Sequence, residues 1–379
     1  MNLLIAKKDA VKIILNNQLL INSDLNGSKD SILKIISQLG YIQIDTISVT
    51  ERSVNHIIWS RAGKFERSNI NELFLEGKIF EYWSHAAAIL PMTDYRYSII
   101  FKNYYIERYG SFKKSNNRLL KLVKDRIKSE GPLMSRDFED KRTGTSGWWN
   151  RKPAKEALEF LFFSGELMVK ERTGFQKVYD LTERVLPSGI DDSIPTKEEY
   201  HKHLILSSIK ANGIISGKEI AYLKRNDKKV FSEVINELIE DKQVCEITIN
   251  GVNDINYFTK PELLELKISD RSGLKILSPF DNLIIQRERI KQIFKFDFLL
   301  ECYLPQSKRK YGYFSMPVLY NNEFLGRIDM KSDRKIKTLK VNKFYPENEI
   351  KLSNTQMKKL NSLLQEYAEF TGCEKVEWI

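Results

Sequence analysis

The sequence predicts a mainly helical α+β protein, with winged-helix units in tandem followed by a small β-domain. Three observations lead there. The order helix, helix, helix, β-hairpin runs through residues 118–187 and recurs over 197–259. From Leu277 onward, strand and turn patterns replace helical ones. With 42% hydrophobic and 29% charged residues, the composition is that of a globular chain rather than a disordered one. At 379 residues the chain is long enough for two or three domains of roughly 150 residues each.

Taken in order, Ser28 to Leu39 places Ile32, Leu33, Ile35, Ile36 and Leu39 on one stripe, and Gly40 follows as a stop. Tyr41-Ile42-Gln43-Ile44-Asp45 reads as extended. Ser48-Val49-Thr50-Glu51 has capping-box form and predicts a helix to about Ser60. Ile70 to Phe80 reads as a further helix, and Phe80 to Pro91 as an aromatic-rich connection. Residues 1–117 form the first expected unit. The second, 118–190, has a helix over Leu119–Ile127, a turn at Gly131-Pro132, and a cap at Ser135. Pro153 opens a helix to Phe163, and two strands, 167–172 and 176–180, flank Gly174. The third, 191–270, repeats this order with helices from Lys202, Ser216 and Lys229 and a hairpin around Gly251. The last, 271–379, pairs Tyr311–Tyr320 with Phe324–Met330 across Asn321-Asn322. It adds a strand over Lys337–Phe344 and an amphipathic helix from Asn354 to Phe370.

The charge is concentrated. The net charge is +11, and residues 102–155 (+9) and 271–340 (+8) hold all of the excess. A polyanion partner fits this, nucleic acid first; a solvated, lysine-rich surface fits it as well. Cys245, Cys302 and Cys373 are sparse and odd in number, without a CxxC, which excludes a disulfide scaffold and a cysteine zinc site. The apolar run at the N-terminus is too short for a signal peptide, and no stretch reaches the length of a bilayer span. The expectation is a soluble intracellular protein.

His56, His85, His201 and His203 have no metal-ligand spacing, so no metal site is expected. A glycine-rich phosphate loop and a Gly-x-Ser-x-Gly elbow are both missing. The distinctive polar pair is Gln43 and Asp45, which share a face of an extended segment opposite Ile42 and Ile44. A carboxylate beside an amide can hold and activate one water. The same residues also suit an Asx turn and a solvent-facing strand position. Phe80-Glu81-Tyr82-Trp83-Ser84-His85 offers Tyr82, Trp83 and His85 for stacking on bases, or for packing between domains. Trp149, Asn150, Arg151 and Lys152 precede or open a helix, where phosphate contacts are favourable. Arg172 and Lys177 flank the expected wing tip. Lys308-Arg309-Lys310 and Lys331-Ser332-Asp333-Arg334-Lys335 are basic runs in the β-domain.

Together these segments resemble a family. Leu39–Val49, with Gln43-Ile44-Asp45, is similar to the Gln-x-Asp segment of the bacterial winged-helix DNA glycosylases, the AlkZ-like group. Phe80–Pro91, Gly147–Pro187, Pro279–Leu283 and Lys308–Asp333 also match, in the same order, over roughly residues 5–370. The block from Gly147 is the most specific. One departure follows the Gln-x-Asp segment: Arg52-Ser53-Val54-Asn55-His56 stands where many members have an Arg-Ala-His-His-like run.

The resemblance implies tandem winged helices and a C-terminal β-barrel around a basic concave channel. It implies a monofunctional glycosylase, without metal or organic cofactor, that hydrolyses the N-glycosidic bond of alkylated purines, including bulky N7 adducts and interstrand crosslinks. Asp45 then activates water and stabilises an oxocarbenium-like sugar, and Gln43 orients the water. His56, Arg327, the aromatic and basic residues named above, and damaged duplex DNA complete that expectation, with a monomer in the bacterial cytoplasm at the nucleoid. Two other readings stay open on the residues. A winged-helix transcription regulator explains the basic segments but leaves Gln43 and Asp45 without a role. An RNA-binding factor lacks an RNA-module signature.

Overall fold

A computed structural model describes residues 3–21, 23–138, 151–222, 227–269, 273–347 and 352–379. The fold is a mixed α+β one. The chain divides into two compact units, Met1–Glu66 with Leu204–Ile379, and Arg67–His203; the division falls inside the helix Lys197–Asn212.

In the first unit, the helix Lys29–Leu39 has the limits its sequence dictates. Ser28 accepts from the Ser31 N–H at its start, and Gly40 takes the left-handed conformation at its end (φ 74°). Ile32, Ile35, Ile36 and Leu39 are buried on the expected stripe, each worth about 1.5–3 kcal/mol of transfer free energy. A four-stranded sheet has the order Leu3–Ile5, Cys245–Ile249, Val252–Thr259, Ile215–Ser216. Its hairpin around Gly251 is the expected one. The parallel N-terminal strand Leu3–Ile5 is not, because three residues are too few for a periodic signal. Ser216 and Glu219 form a reciprocal capping box.

The five-stranded sheet runs Lys275–Ile276, Met316–Tyr320, Glu323–Asp333, Thr338–Pro346, Lys375–Trp378, the last pair parallel. Its order is open, so among the described residues it is a curled half-barrel and not a closed barrel. Register shifts at Val318/Leu319 and Asp329/Met330 introduce bulges, which increase local twist. Gly326 permits one close approach: a Cβ there would lie 2.1 Å from the Tyr345 carbonyl oxygen. The expectation of strands and turns directly after Leu277 is corrected by helices at Asn282–Ile285 and Arg287–Phe294. Asp281 nucleates the first by accepting from the Leu283 N–H. The strand expected from Tyr311 starts only at Met316, since the Tyr311 N–H is drawn to Glu301 Oε2 at 2.7 Å.

In the second unit the helix expected to reach Phe80 stops at Leu75. Ile79–Trp83 and Ala87–Pro91 form a hairpin in place of an irregular connection. The helices Tyr95–Arg108, Gly110–Glu130 and Arg151–Phe163 and a three-stranded sheet (Leu133–Met134, Gln176–Leu181, Leu167–Thr173) complete it. Phe80, Tyr82, Tyr95, Val123, Ile127, Phe138, Phe160 and Leu161 lie in its common core.

Candidate active site

Gln43 ends the two-residue strand Ile42–Gln43, and Ile42 is fully buried beneath it. Asp45 follows in irregular chain. Its Oδ1 accepts from the Ile47 N–H at 2.6 Å, an Asx turn. No helix begins at Ser48. The helix Ser53–Ala62 starts later, and Glu51 Oε1 instead accepts from the Arg52 N–H and the Asn55 amide.

Apart from the two-residue strand and the Asx turn, the segment from Tyr41 to Thr50 has no regular structure and is held by its neighbours. Asn282 Nδ2 donates to the Tyr41 carbonyl and Ser53 Oγ to that of Gln43. The Ser332 N–H donates to the Val49 carbonyl, and Arg334 to that of Thr50. The Thr50 hydroxyl meets the Tyr367 hydroxyl at 2.8 Å inside the core. Asn282, Ser332 with Arg334, and Tyr367 come from three distant stretches of sequence, so the position of Asp45 is set by tertiary structure.

His56 lies in this support rather than on a surface. Its Nε2 is 3.0 Å from the Ile276 carbonyl oxygen, and its Nδ1 is 3.2 Å from the Tyr367 hydroxyl. A carbonyl only accepts, so Nε2 bears the proton and Nδ1 accepts from Tyr367. Burial pushes the imidazole pKa down to about 4, and the ring stays neutral. Beneath it, Arg61 and Asp281 form an ion pair with both side chains fully buried, at 2.7 Å.

Asp45 is half-buried. Burial raises its pKa above the usual carboxylate range, against the lowering effect of the Ile47 and Thr46 amides. Cys302 and Tyr303 lie within the field of this carboxylate. Burial first, and then Asp45, pushes the Cys302 thiol up; for Tyr303 the order is burial, Cys302, Asp45. Tyr303 is 74% exposed. Sequence reading missed both residues, because one tyrosine between Cys302 and Leu304 has no periodic or motif context.

The expected DNA contacts divide into several groups. His56, Tyr82 and Arg327 are buried, and the expectation of surface contacts from them is corrected. Tyr82 is satisfied by donating to the Phe163 carbonyl. Arg327 pairs with Glu347 at 3.0 Å and lies over the rings of Tyr311 and Phe296. Arg172 and Lys177 do flank the hairpin turn, but both converge on the buried Glu81, at 2.7 and 3.0 Å. Glu81 would be raised by burial, yet Lys177 and Arg172 hold it below its usual value. Trp83 is exposed and His85 half-buried. Arg151 and Lys152 open the helix Arg151–Phe163; Trp149 and Asn150 lie outside the described residues. Lys308, Lys310, Lys331 and Arg334 are exposed, and Arg309 lies over the Tyr313 ring while donating to the Leu304 carbonyl.

Among the described residues no three His, Cys, Asp or Glu side chains gather as a metal site, and no helix is long and apolar enough to cross a membrane.

A strongly basic chain with a half-buried carboxylate on a strapped loop is compatible with an enzyme acting on a polyanion. The model of the family described as DNA glycosylase AlkZ-like matches residues 36–370. The chain belongs to the AlkZ-like DNA glycosylase family, and DNA is its partner. The fold is also that of the solved Streptomyces sahachiroi DNA glycosylase AlkZ, with a TM-score of 0.66, 15% sequence identity and 100% of both chains covered.

Proposed function

We propose that this glycosylase is monofunctional and hydrolyses the N-glycosidic bond of N7-alkylated purines, bulky adducts and interstrand crosslinks among them. The observation that carries the reading is Asp45, a carboxylate fixed by the Ile47 amide and made more basic by partial burial. An N7-alkylated purine is cationic, so it departs with the glycosidic electron pair and becomes neutral without a protein acid. The sugar left behind is oxocarbenium-like. Asp45 stabilises that cation by its charge and takes a proton from the water that attacks C1′. Gln43, two residues before, orients this water. No lysine amine enters the reaction, which separates it from a β-elimination lyase.

Duplex binding rests on the basic segments 102–155 and 271–340. The helices and hairpins at 118–190 and 191–270 act as winged-helix units, beside an N-terminal unit of residues 1–117 and a sheet domain of residues 271–379. A crosslinked base cannot be rotated freely out of the duplex, so such a substrate requires an open site. The enzyme works as a monomer in the cytoplasm, at the nucleoid.

The test is excision of N7-methylguanine from a duplex oligonucleotide, wild type beside Asp45→Asn, read as alkali-sensitive breaks under single-turnover conditions. The variant is expected to lose about 10²-fold or more in rate with duplex affinity unchanged. Excision at the wild-type rate would remove Asp45 from the chemistry. A covalent adduct trapped by borohydride would overturn the monofunctional reading.

A further inference from the structure

A concave site away from the Gln43/Asp45 loop lies in the unit Met1–Glu66 with Leu204–Ile379. It is a cleft of about 550 Å³ between the helix Lys7–Asn17, the end of the helix Arg287–Phe294 and the turn after Met316–Tyr320. None of its lining residues belongs to the Gln43/Asp45 loop or to residues 301–313. Lys7, Lys8, Lys12 and Lys295 line it, against Glu323 and Glu347. Glu347 is already engaged by Arg327, so positive charge prevails. The Lys7 ammonium donates to the Gln292 carbonyl at 3.1 Å, which fixes it at the cleft wall. Burial, and then the neighbouring Lys295 ammonium, lowers the Lys7 pKa.

Neighbouring ammonium groups in one cleft repel each other, and an anion seated there relieves that repulsion. Lys295 closes its helix as a left-handed cap, and Asn321-Asn322 form the hairpin turn at the rim of the cleft. Phe294 and Phe324 supply an apolar wall beside the ammonium groups. A phosphate flanked by a sugar has both faces this cleft offers.

We infer that this cleft binds a sugar–phosphate unit, and that its source is the backbone of the DNA duplex outside the excision site. The inference rests on DNA binding by the family, and not on any role of Asp45.

The experiment measures equilibrium binding of undamaged duplex against salt concentration, for wild type and for Lys8→Gln/Lys295→Gln. Both lysines are exposed, so the variant keeps its fold, checked by its melting temperature. Each lost phosphate contact lowers the slope of log K against log salt by about 0.9, so a fall of between about 1 and 2 is expected. A parallel arm adds deoxyadenosine monophosphate and reads the thermal shift. A shift in wild type alone, with the slope unchanged, would keep the sugar–phosphate site and overturn the duplex as its source. An unchanged slope with no shift would overturn the site. Because undamaged duplex is used, a failure of Asp45→Asn to affect excision leaves this result untouched.

Discussion

Replacing Asp281 with alanine should destabilise the unit that bears the candidate active site. Asp281 and Arg61 are both fully buried. Arg61 NH1 and NH2 contact Asp281 at 2.7 and 3.0 Å, and Arg61 Nε donates to the Gln18 carbonyl at 2.7 Å. Lys275 stands in the same field: burial and then Arg61 lower it to about 8, with Asp281 opposing both. Removing the carboxylate leaves a buried guanidinium without its counter-charge and deprives Lys275 of the same support. Breaking such a pair costs about 3–5 kcal/mol, a large share of the roughly 5–15 kcal/mol that holds a domain folded. The melting temperature should fall by roughly 6–20 °C, at about 2–4 °C per kcal/mol for a unit of this size. Urea unfolding followed by tryptophan fluorescence measures it. Trp59 is buried against Tyr367 in the same unit and reports on it. The double variant Arg61→Met/Asp281→Leu, which removes both charges, should recover most of the loss. A loss below about 1 kcal/mol in Asp281→Ala would refute the reasoning, since the pair would then be solvated in practice.

Glu81→Ala should cost the unit Arg67–His203 roughly 3 kcal/mol, measured by urea unfolding, because Arg172 and Lys177 both lose their buried partner. The Glu81 pKa is depressed in the folded state, so this contribution is present above the unfolded value and disappears as pH falls through the folded one. Lys102 gives the same sign at higher pH, through a buried charge that folding disfavours rather than one that it stabilises. Burial lowers it to about 7, over the Tyr95 ring at 3.7 Å. Above that value the unfolded chain binds the extra proton, so stability rises by up to about 1.4 kcal/mol per pH unit towards pH 10. Lys102→Met should flatten that slope in thermal melts taken from pH 7 to 10. The excision rate should fall with pH on the acid side at a value above that of an ordinary aspartate, because Asp45 must be ionised to act as base and its pKa is raised; a rate independent of pH down to 4 would contradict this.

The parts of the fold legible in sequence were those with local causes. Ser28, the stripe of Ile32, Ile35, Ile36 and Leu39, and Gly40 fix one helix, and Gly174 and Gly251 fix two hairpin turns by their positive φ. The helix expected from Ser48 failed for the opposite reason. Five hydrogen bonds, from Asn282, Ser53, Ser332 and Arg334 and from Thr50 to Tyr367, hold residues 41–50 out of helical geometry, and spacing alone pairs none of these partners with the loop. The same limit applied to His56, Tyr82 and Arg327. As residue types they suit a DNA surface, but each has internal partners that sequence does not reveal. Gln43 and Asp45 stand out as a pair because an extended reading of residues 41–45 puts i and i+2 on one face; the strand ends at Gln43, and Asp45 lies in an Asx turn instead. What that pair could do was supplied by the resemblance and not by the spacing.

The Asx turn and the catalytic reading of Asp45 are compatible, and their combination decides which substitution is informative. The turn uses Oδ1 as acceptor from the Ile47 N–H. An asparagine side-chain oxygen accepts that same bond, so Asp45→Asn preserves the local backbone while removing the charge and the basicity. Alanine would free the Ile47 amide and loosen a loop that has no regular structure of its own, and a lost rate would then be ambiguous. The support of the loop is separable in the same way. Tyr367→Phe removes the hydroxyl shared by Thr50 and His56 without touching Asp45, so any fall in rate it causes measures positioning alone. A base that must reach one water from a fixed carboxylate depends on both links, and the two variants test them independently.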